Sequence, residues 1–163
     1  KYLSKLKFCA TNCRMKKLTI LLNLIISQAF CASLTVIGPC DEKPLFSVKT
    51  KINSKQSVGS FSLDVFNANK IPYQGTFEGF NSIFETPVGL DAMEVLSDTE
   101  MRAHGWCYSV NGVSPEKFPD EIFIEDDAEV VWWFGYAHLL DGEWITQCSE
   151  THLIAPEQFC SSN

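Results

Sequence analysis

Cys40 and Cys160 stand near the two ends of a largely polar stretch, with Cys107 and Cys148 between them. If these four thiols are oxidised, any fold the chain adopts must bring its last residues back beside its early ones, because a disulfide tolerates only a short Cα separation. Four cysteines allow three connectivities, and the expected one joins Cys107 to Cys148 and Cys40 to Cys160. The second bridge would close nearly the whole stretch into a loop, which chain-entropy arguments credit with roughly 3–5 kcal/mol. The alternative for Cys107, set between Trp106 and Tyr108 in HGWCYSVNG, is a reactive thiol, but no C-x-x-C pair accompanies it.

Disulfides need an oxidising compartment, and the start of the chain offers an address. Met15-Lys16-Lys17 precedes the apolar run LTILLNLIISQAF, which has the length and charged flank of a secretory signal peptide. Residues 15–31 are assigned to this leader, with cleavage after Ala29, Cys31 or Ala32, and residues 1–14 read as an upstream extension. The run is interrupted by Asn23 and falls short of the ~20 apolar residues of a membrane anchor. Cys31 follows Phe30 rather than a small residue, which argues against a lipid-modified cysteine. Residues 1–31 hold Lys1, Lys5, Lys7, Arg14, Lys16 and Lys17 and no acid, so losing these six cations takes the formal charge from −7 to −13. A domain that acidic repels phosphate backbones, which disfavours nucleic acid as a partner.

Within the mature stretch, residues 32–57 read as an irregular lead-in around Gly38-Pro39 and KTKINSKQSVGS. Phe61-Ser62-Leu63-Asp64-Val65-Phe66 alternates as a half-buried strand should, and a second extended piece follows at 71–77, held to an edge by Pro72. Thr86-Pro87 then opens a helix of about three turns whose stripe is Leu90, Met93 and Leu96. From Ala103 the period returns to two: His104, Trp106, Tyr108 and Val110 share one face, and Ala103, Gly105, Cys107 and Ser109 the other. After the Asn111-Gly112 turn and an acidic loop, residues 128–134, AEVVWWF, form the best candidate for a central strand. A hairpin turning at Asp141-Gly142 returns through Trp144 to Cys148. One helix on a mixed sheet buries these faces, so the expected class is α+β, a β-grasp-like, disulfide-stapled domain over 58–148, with 149–163 as a tail tied by a disulfide.

Three stretches resemble a known family: Ser82-Ile83 ahead of the expected helix, Gly105-Trp106 with Tyr108-Ser109-Val110-Asn111-Gly112, and the acidic turn leading into Trp132-Trp133. Together they resemble the transcobalamin-like C-terminal domain family, which recurs in secreted bacterial proteins. The resemblance spans about residues 58–148 and implies a β-grasp domain. It also implies that ligand binding is open to the fold, since in vitamin carriers such a domain closes over a corrinoid. The residues themselves call for no cofactor.

Trp106, Tyr108, Trp132, Trp133, Tyr136 and Trp144 are the candidate binding residues. Trp132 and Trp133 must point to opposite faces, so a helix covering one face leaves an indole on the other unless the segment 135–148 packs over it. Glu116, Asp120, Glu121, Glu125, Asp126, Asp127 and Glu129 crowd one connection but lack the spacing of a calcium loop. His104, His138 and His152 show no zinc spacing, and Ser109 has no nucleophile elbow around it. No catalytic or metal-ligating residue is assigned. The expected function is a non-catalytic, monomeric binding module, exported to a bacterial periplasm or medium, that holds a small ligand or an envelope protein. The absence of an N-x-[ST] sequon accords with a bacterial host. The alternatives are a periplasmic hydrolase or metal-dependent enzyme using the acidic loop with a histidine, and a structural envelope domain.

Overall fold

The apolar run at 128–134 lies within β7 (Glu129–Leu140), and the rest of the chain is arranged around that strand in the computed structural model, which describes residues 30–52 and 55–160. β7 is central because both of its edges are taken. On one side it pairs antiparallel with β6 (Glu100–Val110) along the whole of that strand, in a register that sets Cys107 opposite Trp133 and Tyr108 opposite Trp132. Its other edge is shared: β1 (Phe30–Ile37) runs parallel to residues 129–133, and β8 (Glu143–Glu150) pairs antiparallel with residues 135–140. β2 (Phe46–Ile52) flanks β1, and β5 (Met93–Ser97) flanks the start of β6, giving the order β2-β1-β7-β6-β5 with β8 beside β7. A separate hairpin, β3 (Tyr73–Thr76) with β4 (Gly79–Ile83), lies apart from this sheet. The class is α+β, as expected, with one α-helix, α1 (Val58–Asn69), among the described residues.

Three sequence expectations are overturned. The stretch 61–66 is not a strand but part of α1. Its alternation is real but short, and over a longer window Val58, Phe61, Ser62, Val65 and Phe66 fall at helical spacing and are all buried. Ser57 caps the helix by accepting from Ser60 N, and the next free N–H groups, on Val58 and Gly59, donate to Ile122 O and Pro119 O of the acidic loop. Conversely, the helix expected after Thr86-Pro87 is a single 3-10 turn, Gly89–Ala92, followed by β5. Leu90 is 84% exposed and Leu96 44%, so the expected stripe is not buried, and Gly89 adopts a left-handed φ of 61° that a continuing helix does not allow. Finally, residues 32–57 are no irregular lead-in: they supply most of β1 and all of β2, with Ala32, Leu34 and Val36 fully buried. The sheet therefore extends well before residue 58, the expected start of the domain.

The leader assigned to 15–31 lies outside the described residues up to Ala29, as does the upstream extension at 1–14. Phe30 and Cys31 are the first two residues of β1, and Cys31 is buried. The core lies between the inner face of the sheet and α1 with the β3–β4 hairpin: Phe61 and Phe66 from the helix, Phe80 and Ile83 from the hairpin, Leu34, Val130 and Trp132 from the sheet. Full burial of side chains such as these contributes about 1.5–3 kcal/mol each. Trp132 Nε1 donates to Ser62 Oγ at 2.9 Å, so the one polar atom of the most deeply buried indole is satisfied by the helix.

Candidate functional site

The two bridges are Cys107–Cys148 and Cys40–Cys160, the pairing expected from the sequence. The first has a particular geometry. Cys107 is on β6 and Cys148 on β8, the two strands on opposite edges of β7, so the bridge passes over β7 rather than between neighbours. A bulge makes this reach possible: Gln147 and Cys148 face the single residue Ala137, and Cys148 takes a left-handed φ of 57°. Beneath the bridge lies Gly135, where an added Cβ would stand 3.0 Å from Cys107 Sγ.

Trp133 occupies the same outer face, half-buried, with Nε1 donating to Cys148 O at 2.9 Å. The indole left over by the helix is thus partly covered by the returning strand. The inner face carries Trp132, Tyr108 and Trp106. Tyr108 is 8% exposed, and its hydroxyl donates to Lys117 O at 2.7 Å. Burial, reinforced by the charges of Glu121 and Asp120, pushes its phenol up to about 12, so it stays a neutral donor at any physiological pH. Trp106 is only partly buried, and its Nε1 donates to Thr86 Oγ1 at 2.9 Å. This is what Thr86 does in place of capping a helix.

Trp106, Tyr108, Trp132 and Trp133 line one cleft of about 520 Å³, which the β3–β4 hairpin walls with Gly75, Gly79 and Phe80, and the segment 114–119 with Phe118. Tyr136 and Trp144 are elsewhere, lining a smaller cleft of about 360 Å³ that meets the first at Trp106, Cys107 and Cys148. Trp144 is exposed on β8. The six aromatics expected to act together therefore divide four and two. Phe80, Phe118 and the two glycines are lining residues that the sequence reading did not single out. For the two glycines the signal was the segment GTFEG, in which they flank a tight turn.

The histidines are dispersed. The His104 side chain is inaccessible to solvent, with Nε2 3.0 Å from Glu94 Oε2 and Nδ1 3.1 Å from Thr151 Oγ1. The carboxylate only accepts, so Nε2 carries the proton and the threonine hydroxyl donates to Nδ1. Burial lowers the His104 pKa, opposed by the Glu94 hydrogen bond and charge and assisted by Arg102. His138 pairs with Glu100 at 2.9 Å and His152 with Glu150 at 3.5 Å. None of these carboxylates belongs to the acidic connection, where Asp126 accepts from Cys31 N at the start of β1, Glu121 accepts from the nearby Phe118 N, and Asp127 pairs with Lys49 on β2. Among the described residues no three His, Cys, Asp or Glu side chains are grouped to hold a metal ion, and no helix is long and apolar enough to cross a membrane.

No family model matches this chain, and no curated protein matches it. Among solved structures it is similar to one from Ruminococcus gnavus, described as a "putative metal binding protein", at 14% identity and a TM-score of 0.41, covering 65% of this chain and 98% of that one.

Proposed function

We propose that this chain is an exported, non-catalytic binding module whose site is the cleft beside Trp106 and Tyr108. The observation that carries the reading is the lining: aromatic rings from the sheet, the hairpin and the 114–119 segment converge on a space of about 520 Å³, within the usual range for ligand sites. The chemistry around it is that of recognition, with ring faces and hydrogen-bonding groups but no histidine among the lining residues. Two disulfides support an oxidising location, periplasmic or extracellular, and cleavage after Ala29 would leave β1 whole. The β-grasp assignment, which the transcobalamin-like resemblance implies, is supported by the order β2-β1-β7-β6, in which β1 runs parallel to β7 at the centre of the sheet with α1 packed beneath.

Native mass spectrometry of the protein recovered from its own host tests the reading. A retained non-covalent adduct is expected, lost on Trp106→Ala and kept on Trp144→Ala. An adduct indifferent to Trp106, or consistently bare protein, would count against the cleft as the site.

A further inference from the structure

The backbone along the cleft narrows the class of occupant, given the binding reading above. Peptide groups in a strand point alternately to its two edges. In β6, Val110 exchanges bonds with Val113 at 2.9 and 3.1 Å, whereas the next residue, Asn111, donates to Glu129 O on the β7 side at 2.8 Å. Arg102, His104, Trp106, Tyr108 and Val110 therefore present N–H and C=O to the edge away from β7. β5 covers this edge only as far as Ala103, which it pairs with Met93, because the chain before it turns out of the sheet in the 3-10 segment Gly89–Ala92. Between that point and Val110, the main-chain groups of Trp106 and Tyr108 have no partner among the described residues; the hydrogen bonds of these two residues run through the indole and the phenol.

This open edge forms the floor of a trough. The 520 Å³ cleft borders Trp106, Cys107 and Tyr108, and a second of about 510 Å³, walled by Gln74, Phe80 and Val88, borders His104, Gly105 and Trp106. By contrast, β2 at the other side of the sheet carries the exposed charges Lys49 and Lys51, residues of the kind that discourage edge pairing. From Gly105 to Val110 β6 carries no charge. Two free donor–acceptor pairs two residues apart, about 6.8 Å along a strand, match the repeat of another extended main chain better than the scattered polar groups of a small molecule. The charges nearby are Glu78 on the hairpin wall, with Asp120 and Glu121 close to Tyr108, against Lys117.

We propose that the trough takes an extended peptide segment of another protein, bearing basic side chains, which adds to β6 as a strand through the main-chain groups of Trp106 and Tyr108. The probe is an end-capped octapeptide of alternating lysine and valine, offered to the full chain unmodified, with every lysine amide N-methylated, or with every valine amide N-methylated. One methylated form should bind at least 10-fold more weakly and the other within 2-fold of the parent, since only one set of amides faces β6. Amide exchange at Trp106 and Tyr108 should slow at least 10-fold on binding, and Glu78→Lys should weaken the parent at least 3-fold at low salt. Equal binding of both methylated forms, unchanged exchange at these two amides, or their protection by a self-dimer without peptide would each overturn the proposal. If the octapeptide fails but anilinonaphthalene sulfonate binds in a Trp106-dependent way, strand addition falls and the binding module stands; if neither binds, both fall.

Discussion

Gly135 and Gly105 face each other across β7 and β6, yet they answer to different constraints. An added Cβ at Gly135 meets Cys107 Sγ at 3.0 Å and both Ser149 O and Trp133 Nε1 at 3.2 Å, whereas at Gly105 nothing lies within 4 Å. Gly135→Ala should therefore destabilise the fold by about 1–3 kcal/mol through overpacking against the bridge, while Gly105→Ala should be neutral or slightly stabilising; denaturant titration of the two variants checks the contrast. His104 ties stability to pH. Its pKa is depressed in the folded chain, so between that value and the ordinary 6.5 the unfolded state holds the extra proton. The resulting contribution is complete above pH 6.5 and is lost as pH falls through the folded-state pKa. Thermal midpoints measured from pH 7.5 down to 5 should fall for the natural protein and fall less for His104→Gln. The histidine spacing in the sequence carried no sign of this, because the pairing with Glu94 and Thr151 depends on where β5 and the 3-10 turn Thr151–Leu153 lie.

Trp132 donates a hydrogen bond to Ser62 where the sheet packs on the helix, and both residues are essentially inaccessible to solvent. Ser62→Ala should cost about 1–3 kcal/mol, the penalty of stranding a buried indole N–H. In a double-mutant cycle with Trp132→Phe the second substitution should recover part of that loss, as measured by chemical denaturation. Ser62 also explains why the helix was misread from the sequence. A polar residue in the middle of the buried stripe turned a 58, 61, 62, 65, 66 pattern into an apparent alternation, and its partner lies 70 residues away. β6, β7 and the Asp141-Gly142 hairpin were legible because each is specified locally: alternation, a continuous apolar run, and turn residues at φ 50° and 83°. β1 and β2 were not, since β2 alternates Val48 and Thr50 with Lys49 and Lys51 and reads as polar until β1 is known to cover it. The cleft was half legible for the same reason: its sheet aromatics stand in one short stretch, while its opposite wall comes from a hairpin whose placement is a tertiary fact.

For the molecule as a whole, the two bridges differ in what they enclose: 120 residues of sequence separate Cys40 from Cys160, and 41 separate Cys107 from Cys148. Chain entropy predicts losses of about 5 and about 4 kcal/mol for the respective double serine variants. Equilibrium unfolding of Cys40→Ser/Cys160→Ser and Cys107→Ser/Cys148→Ser should rank them in that order. Both pairings were legible because only four cysteines follow the first strand and only one partition staples the two ends together. The longer bridge also decides how the protein would bear tension. A pull applied between residues 30 and 160 runs along β1 to Cys40 and then crosses directly to Cys160, so the 119 residues in between are shielded from the load. Fully drawn out, such a tether yields about 35–40 Å instead of the roughly 430–470 Å of the unbridged chain, which makes the sulfur link an overload stop for everything folded behind it.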